Sequence, residues 1–224
     1  PRAHAGGAAQ VRRDQVRTAL GILAALGAVA ALPGSAGGQV PAPTFRISAV
    51  LAAEAPDIDG VVEDDEWEGA PVLSDFIQFQ PERGRPSGYR TEVRVLYDST
   101  ALYVAMRAWD PEPIIAQLTR RDAGLDQDDA FAVLLDTHRD RQSAYFFAVN
   151  ALGTQADLRL ANDGRTQDAS WDAPWTVRAR ITDGGWEAEI AIPFASVRFD
   201  PGRGRTWGVN FVRSRRRSFE LSHW

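Results

Sequence analysis

Apolar and polar residues alternate along much of the chain after residue 72, in short segments separated by turn-forming residues. Residues 91–97 place Val93, Val95 and Tyr97 on one side, opposite Glu92 and Arg94. Residues 101–109 and 186–192 alternate in the same way. Because strict alternation is typical of a half-buried strand, each of these segments is predicted to be a strand with one face in a core.

The stretch from residue 128 to residue 157 is the most apolar part of the predicted domain. Residues 131–135 and 145–149 are apolar on both faces and are too short for ordinary helices, so they predict strands covered on two sides. A turn at 150–153 leads to a third strand at 157–161. Further strands are predicted at 72–79, at 176–181 and around Trp207, Val209 and Phe211.

Only short helical turns are predicted. Residues 63–69 begin with acidic side chains and predict a short helix that turns Trp67 inward, and Pro193 favours a helical turn at 194–197. Residues 162–170 are interpreted as a polar loop, and residues 213–217 as a basic patch. The fold class is therefore all-β, an antiparallel β-sandwich with one or two short helical turns.

The first forty residues have the pattern of an export signal. Arginines at positions 12, 13 and 17 precede the apolar residues 18–32, and small residues with Pro33 and Gly34 follow. Residues 1–40 are thus predicted to be a signal peptide and spacer, and residues 45–224 a single domain in the periplasm or at the outer membrane or cell surface. An uncleaved anchor or a buried alanine-rich helix is the alternative. Because the sequence starts at Pro1 instead of Met, we expect residues upstream.

Composition excludes several classes of function. The net charge of -5 argues against a nucleic-acid partner. The absence of cysteine excludes disulfides and thiolate metal sites, and the three histidines are too far apart in sequence to predict a histidine metal cluster. The chain has no phosphate-binding loop, dinucleotide fingerprint or nucleophile elbow. We therefore predict no catalysis here, and any glycoside hydrolase activity would come from an associated domain.

Tryptophans in charged loops are the candidate ligand contacts. A ring-shaped ligand with hydroxyl groups needs a flat apolar surface and nearby polar groups. Trp171 and Trp175 lie in a polar loop with Asp172 between them, and Trp109 ends a predicted strand before a proline-rich loop. The alternative is that these large rings pack the core of the sandwich.

A dense group of charges precedes the central strands. Arg120 and Arg121 could bind paired hydroxyls through their forked guanidinium groups, and Asp122, Asp128 and Asp129 could hold calcium through oxygen ligands. The spacing is not that of an EF-hand, since it lacks the required glycine and the terminal glutamate. An internal network of arginine and aspartate that fixes the loop is an equal alternative.

One ordered series of residues extends over the predicted domain. It comprises Ile58-Asp59-Gly60 with Trp67, residues 91–97 and 101–104, Arg120 to Asp122, residues 128–137, 144–146 and 149–150, Gly153, Asp157, residues 170–172, residues 186–194 and residues 207–211. This series resembles the carbohydrate-binding module family 9-like domain, of the DOMON-like kind that precedes outer-membrane barrel-like regions in bacterial proteins, and the resemblance covers residues 45–224. The resemblance implies an exported β-sandwich that binds sugars and carries structural calcium.

Two functional hypotheses follow. The first is a non-catalytic domain that docks an oligosaccharide or polysaccharide as an accessory to glycan degradation or uptake. The alternative is a structural or interaction domain that caps an outer-membrane β-barrel, as a domain or protein partner, without binding sugar.

Overall fold

The computed structural model describes residues 46–200 and 206–224, and the predicted signal peptide lies outside these residues. The described chain forms two sheets that face each other, which confirms the all-β sandwich. All strand neighbours are antiparallel except the first pair of the smaller sheet, which is parallel. In spatial order, this five-stranded sheet contains β1 (Val50–Leu51), β3 (Thr91–Tyr97), β4 (Ala101–Trp109), β10 (Gly185–Pro193) and β9 (Thr176–Thr182).

The second sheet has seven strands, and its centre is the apolar stretch singled out in the sequence. In spatial order it contains β2 (Ile77–Gln80), β12 (Glu220–His223), β11 (Gly208–Arg215), β5 (Ala130–Asp136), β6 (Ala144–Asn150), β7 (Gln155–Ala161) and β8 (Thr166–Asp168). The 3-10 turn Phe194–Ser196 confirms the helical turn expected at 194–197, whereas the 3-10 turn Leu125–Gln127 was not predicted.

The main core lies between the two sheets. Phe131, Val133 and Phe147 of the larger sheet are fully buried with Val104 and Ile190 of the smaller one. The alternation predicted for β3, β4 and β10 therefore points the expected residues inward. Each buried aromatic or branched side chain stabilises the fold by about 1.5–3 kcal/mol relative to its exposed state.

The outer faces of both sheets are also covered. On the larger sheet Leu134, Phe146 and Leu160 form a second buried cluster, so the expectation that 131–135 and 145–149 are apolar on both faces is confirmed. On the smaller sheet the segment before β2 covers Leu96 and Tyr103. Trp67 belongs to that segment and is fully buried against the sheet.

Trp67 faces inward as expected, but the predicted helix at 63–69 is wrong, because residues 64–69 form turns. The indole N–H of Trp67 donates to Oε1 of Glu189 at 3.0 Å. The backbone N–H groups of Asp59 and Gly60 donate to Oε2 of the same carboxylate, at 3.2 and 3.0 Å. These contacts hold the segment against β10, and so short a helix would not be stable by itself.

The ends of the larger sheet differ from the sequence expectation. Residues 162–170 contain β8, and of the expected strand at 72–79 only residues 77–79 join the larger sheet, as part of β2. The prediction of a basic patch at 213–217 is wrong for Arg213 and Arg215, because these side chains are buried, with 2% and 3% exposure. Arg215 is buried because it forms a two-pronged ion pair with Asp110, with Nε and Nη2 at 2.6 and 2.9 Å from the carboxylate. None of the described residues forms a helix long and apolar enough to span a bilayer.

We predict that Glu189 makes stability depend on pH. Burial raises the pKa of Glu189 above its usual 4.5, so the folded state holds this proton more tightly than the unfolded chain does. Relative to Glu189→Gln, the wild type should lose stability as pH rises from about 4.5 through the folded-state pKa. Urea unfolding of both proteins between pH 4 and pH 8 measures this difference.

The glutamine variant should also be less stable throughout, by about 1–3 kcal/mol, because its amide nitrogen replaces one acceptor oxygen. Other titrating groups cancel in the comparison. Two stability curves that run parallel over the whole pH range would contradict the prediction.

Candidate functional site

The charged loop before the central strands is attached to the start of β7. The backbone N–H of Asp122 donates to the carbonyl oxygen of Gln155 at 2.9 Å, and the N–H of Asp157 donates to Oδ1 of Asp122 at 3.3 Å. Asp122 has a positive φ of 55°, which turns the loop back on itself. The first residues of β7 lie beyond its pairing with the short strand β8, so the loop occupies an edge that would otherwise be open.

Arg121 is the centre of this site. Its Nη2 lies 2.5 Å from Oδ1 of Asp157, 2.8 Å from Oδ1 of Asp172 and 3.0 Å from the carbonyl oxygen of Ala173. Its Nη1 donates to the side-chain oxygen of Gln155 at 2.8 Å. One guanidinium therefore joins the loop, β7 and the segment before β9. Arg121 is 35% exposed, so the site opens to solvent on one side.

Asp157 is the buried partner of this arginine. Its side chain is 0% exposed, and it faces the core beside Phe147. Oδ1 accepts the indole N–H of Trp175 at 3.0 Å, and Oδ2 accepts the backbone N–H of Ala173 at 3.0 Å. Burial raises the pKa of Asp157 despite the neighbouring Arg121, and burial likewise raises the pKa of Asp122.

The two loop tryptophans have different environments. Trp175 is 6% exposed and packs edge-on against Phe147, with ring centroids 5.4 Å apart, so its ring is in the core. Trp171 is partly buried against Tyr145 and Phe147, with centroids 5.0 and 5.8 Å away. Asp172 follows it with a side chain that is 70% exposed. Of the candidate ligand contacts in this loop, Trp171 and Asp172 are thus the ones that a ligand can reach.

The predicted metal ligands serve other contacts. Asp128 is fully buried and accepts the backbone N–H groups of Gln117 and Leu118 and the side-chain amide of Asn150. Asp129 accepts the backbone N–H groups of Ile115 and Arg216.

These bonds leave Asp122, Asp128 and Asp129 in separate networks. Within residues 46–200 and 206–224, no group of three or more histidine, cysteine, aspartate or glutamate side chains is placed to hold a metal. Calcium binding stays a prediction from the resemblance.

The remaining candidates lie apart from the Arg121 network. The guanidinium of Arg90 lies over the Trp109 ring, 4.2 Å from its centroid, and covers one of its faces. The Arg120 side chain is exposed, and its carbonyl oxygen accepts the N–H of Ala123 in the loop. The structure therefore brings together Arg121, Asp122, Asp172 and the two loop tryptophans, but it does not add Trp109.

Two members of the site were absent from the sequence-based candidates, Gln155 and Asp157. The sequence carried little signal for Asp157, because Gln155 and Arg159 share its face of β7 and the apolar Leu158 and Leu160 lie on the opposite face. Its pairing with Phe147 buries it. A carboxylate at such a position requires hydrogen-bonding or charged partners, and Arg121 supplies the charge.

The chain matches the model of a known family over most of its length. The model of the carbohydrate family 9 binding domain-like family matches residues 58–214, well over half of the chain. The chain belongs to this family. The match includes the turn at Gly60, the Arg121 network and both loop tryptophans. The comparison with curated proteins found no significant match to this chain.

Solved structures show the same fold at low sequence identity. A carbohydrate binding module family 9 from Caldicellulosiruptor kristjanssonii, in complex with cellotriose, has a TM-score of 0.55 at 16% identity and covers 80% of this chain and 82% of its own. A family 9 module from the same organism in complex with glucose has a TM-score of 0.54 at 16% identity and covers 79% of this chain and 84% of its own. A putative carbohydrate-binding protein from Bacteroides uniformis gives 0.55 at 12% identity, with 80% and 87% covered.

We predict that Arg121 is essential to the stability of this family 9 domain. In Arg121→Ala the buried Asp157 carboxylate loses its cation, which should lower the free energy of unfolding by about 2–4 kcal/mol. Adding Asp157→Asn to that variant should recover part of the loss, because it removes the uncompensated charge. Urea unfolding of the single and double variants measures both effects.

The matched control is Arg159→Ala, on the same strand as Asp157. Arg159 pairs with Asp168 at 2.7 Å, and both side chains are more than a third exposed. Such a pair contributes about 1 kcal/mol or less. Equal losses in Arg121→Ala and Arg159→Ala would contradict the role assigned to Arg121.

Proposed function

We propose that this domain is a non-catalytic carbohydrate-binding domain of an exported bacterial protein, which docks glycans as an accessory to their degradation or uptake. Family membership supports carbohydrate as the ligand class. Two solved structures of the same fold are described in complex with cellotriose and with glucose. The signal-like pattern of residues 1–40 supports export.

The observation that carries the proposal is the pair formed by Trp171 and Asp172. Trp171 offers a partly exposed ring held in place by Tyr145 and Phe147. A ring fixed in this way can stack on the C–H face of a pyranose with little further loss of freedom. The neighbouring Asp172 carboxylate is 70% exposed and can accept a sugar hydroxyl.

Arg121 positions this pair. Its guanidinium binds the Asp172 side chain and the carbonyl oxygen of Ala173. These contacts fix the two residues that follow Trp171 in the chain. Because the same guanidinium is anchored by the buried Asp157, the loop geometry is set before a ligand arrives. Such pre-organisation favours binding, because less entropy is lost on association.

Titration of the purified domain with glucose, cellotriose and other soluble oligosaccharides tests this proposal, with calcium and with a chelator. We expect binding by the wild type and an affinity roughly tenfold lower in Trp171→Ala, because a stacking surface is lost. Asp172→Asn should weaken binding by a smaller factor, since the amide keeps one acceptor oxygen.

The control variant is Phe219→Ala. Phe219 is 65% exposed and lies between β11 and β12, so its removal also takes away an accessible aromatic ring. It should leave the affinity unchanged. If no saccharide binds under either condition, the carbohydrate proposal fails and the interaction-domain alternative is favoured.

A further inference from the structure

A groove separate from the Arg121 network opens at another corner of the sandwich. It lies between residues 46–51 with the ends of β3 and β4 on one side, and β5 with β11 on the other, and it encloses about 1500 Å³. Its floor includes the core residues Val95, Leu135 and Phe211, none more than 4% exposed. The interior of the sandwich is therefore accessible at this corner.

One wall of the groove is aromatic. Phe194, Phe199 and Trp207 pack against one another, with ring centroids between 5.3 and 6.1 Å apart. Phe199 is 38% exposed, and Trp207 is partly buried. Trp224, which packs 6.1 Å from Phe211, adds another ring to the lining. The groove therefore offers rigid apolar surfaces to the flat face of a ring-shaped ligand.

The rim of the groove carries three arginines, Arg46, Arg139 and Arg141, and all three are exposed. Among the residues that the structure describes, no carboxylate lies within ion-pair distance of any of them. Arg139 and Arg141 have positive φ angles of 54° and 57° in the connection between β5 and β6. This connection is fixed because Asp136 accepts the backbone N–H groups of Asp140 and Arg141 at 3.2 and 2.9 Å.

The lining also holds two carboxylates, Asp98 and Asp136, and local hydrogen bonds hold each of them in place. Asp136 is engaged by the two backbone groups just described. Asp98 accepts the N–H groups of Thr100 and Ala101 and the hydroxyl of Tyr103, and its pKa is lowered to about 2 because these hydrogen bonds outweigh its desolvation by burial. The three arginines of the rim outnumber these two carboxylates, and the planar fork of a guanidinium matches a carboxylate of a ligand.

We propose that this groove binds an acidic oligosaccharide, with uronate rings on the aromatic wall and their carboxylates on the arginines of the rim. The proposal rests on the carbohydrate-binding function inferred above and assigns a second site for one class of glycan. Arg139 and Arg141 select the charge, and Phe199 with Trp207 supplies the stacking surface.

The test is calorimetric titration of the whole chain with trimers of galacturonate, mannuronate and glucuronate, beside the neutral trimer of galactose. We expect at least one uronate trimer to bind and galactotriose to bind at least about tenfold more weakly. The double variant Arg139→Gln/Arg141→Gln should lose at least about tenfold in uronate affinity, and Phe199→Ala at least about threefold.

Two controls separate this site from other effects. Arg83→Gln/Arg178→Gln removes the same charge from exposed positions outside the groove lining and should leave uronate affinity within about twofold. Trp171→Ala should leave it unchanged.

Failure of all three uronate trimers to bind would overturn the groove proposal. So would uronate binding that survives in Arg139→Gln/Arg141→Gln and is lost in Trp171→Ala. In that second case the carbohydrate-binding function itself would stand, at the Trp171 site.

Discussion

Buried carboxylates that accept backbone N–H groups connect the irregular segments of this domain to its sheets. Glu189 of β10 holds the segment around Gly60 and Trp67, and Asp157 of β7 holds the segment around Ala173. Asp128 and Asp129, just before β5, hold residues 115–118. A buried carboxylate is costly unless its oxygens are satisfied, so each of these acids requires its segment in one position.

This requirement explains how both faces of both sheets become covered. The segment held by Glu189 covers the outer face of the smaller sheet, and Leu118, beside Asp128, packs against the outer cluster of the larger sheet. The polar contacts thus position the covering segments, and the apolar contacts supply most of the stabilisation.

The strands of the central part follow from the sequence, because burial on one face or both leaves a direct signature in residues 91–109, 130–150 and 185–193. The ends of the larger sheet do not follow. β8 and β12 are short and polar, and they are strands because a neighbour offers unpaired backbone groups. Arg213 and Arg215 read as a basic surface, since nothing local indicates that Asp110, about a hundred residues earlier, is their buried partner.

The same limit applies to the candidate site. Asp122, Asp128 and Asp129 have the residue type of a calcium site, yet Asp128 and Asp129 bind backbone amides, and no pattern along the chain distinguishes the two uses. Trp171 and Trp175 are four positions apart in one loop, and only the partner Asp157 decides that Trp175 turns inward. Sequence predicted the loop as a site, but the roles of its members depend on contacts from β7.

Coverage of the faces also determines where a ligand can bind. A sheet with one open face can stack sugar rings on aromatic side chains along its strands, but here Leu118 and Leu125 pack over Leu134 and Phe146 on the outer face of the larger sheet. Among the described residues, the exposed phenylalanines Phe199 and Phe219 lie in connections between strands. Trp171 lies in another connection, next to Asp172, which the Arg121 guanidinium binds, and Phe199 lines the same groove as Arg139 and Arg141. A glycan would therefore contact this domain at the corners of the sandwich. Substitutions in the loops should change the affinity for glycan, and substitutions on the sheets should change the stability of the fold.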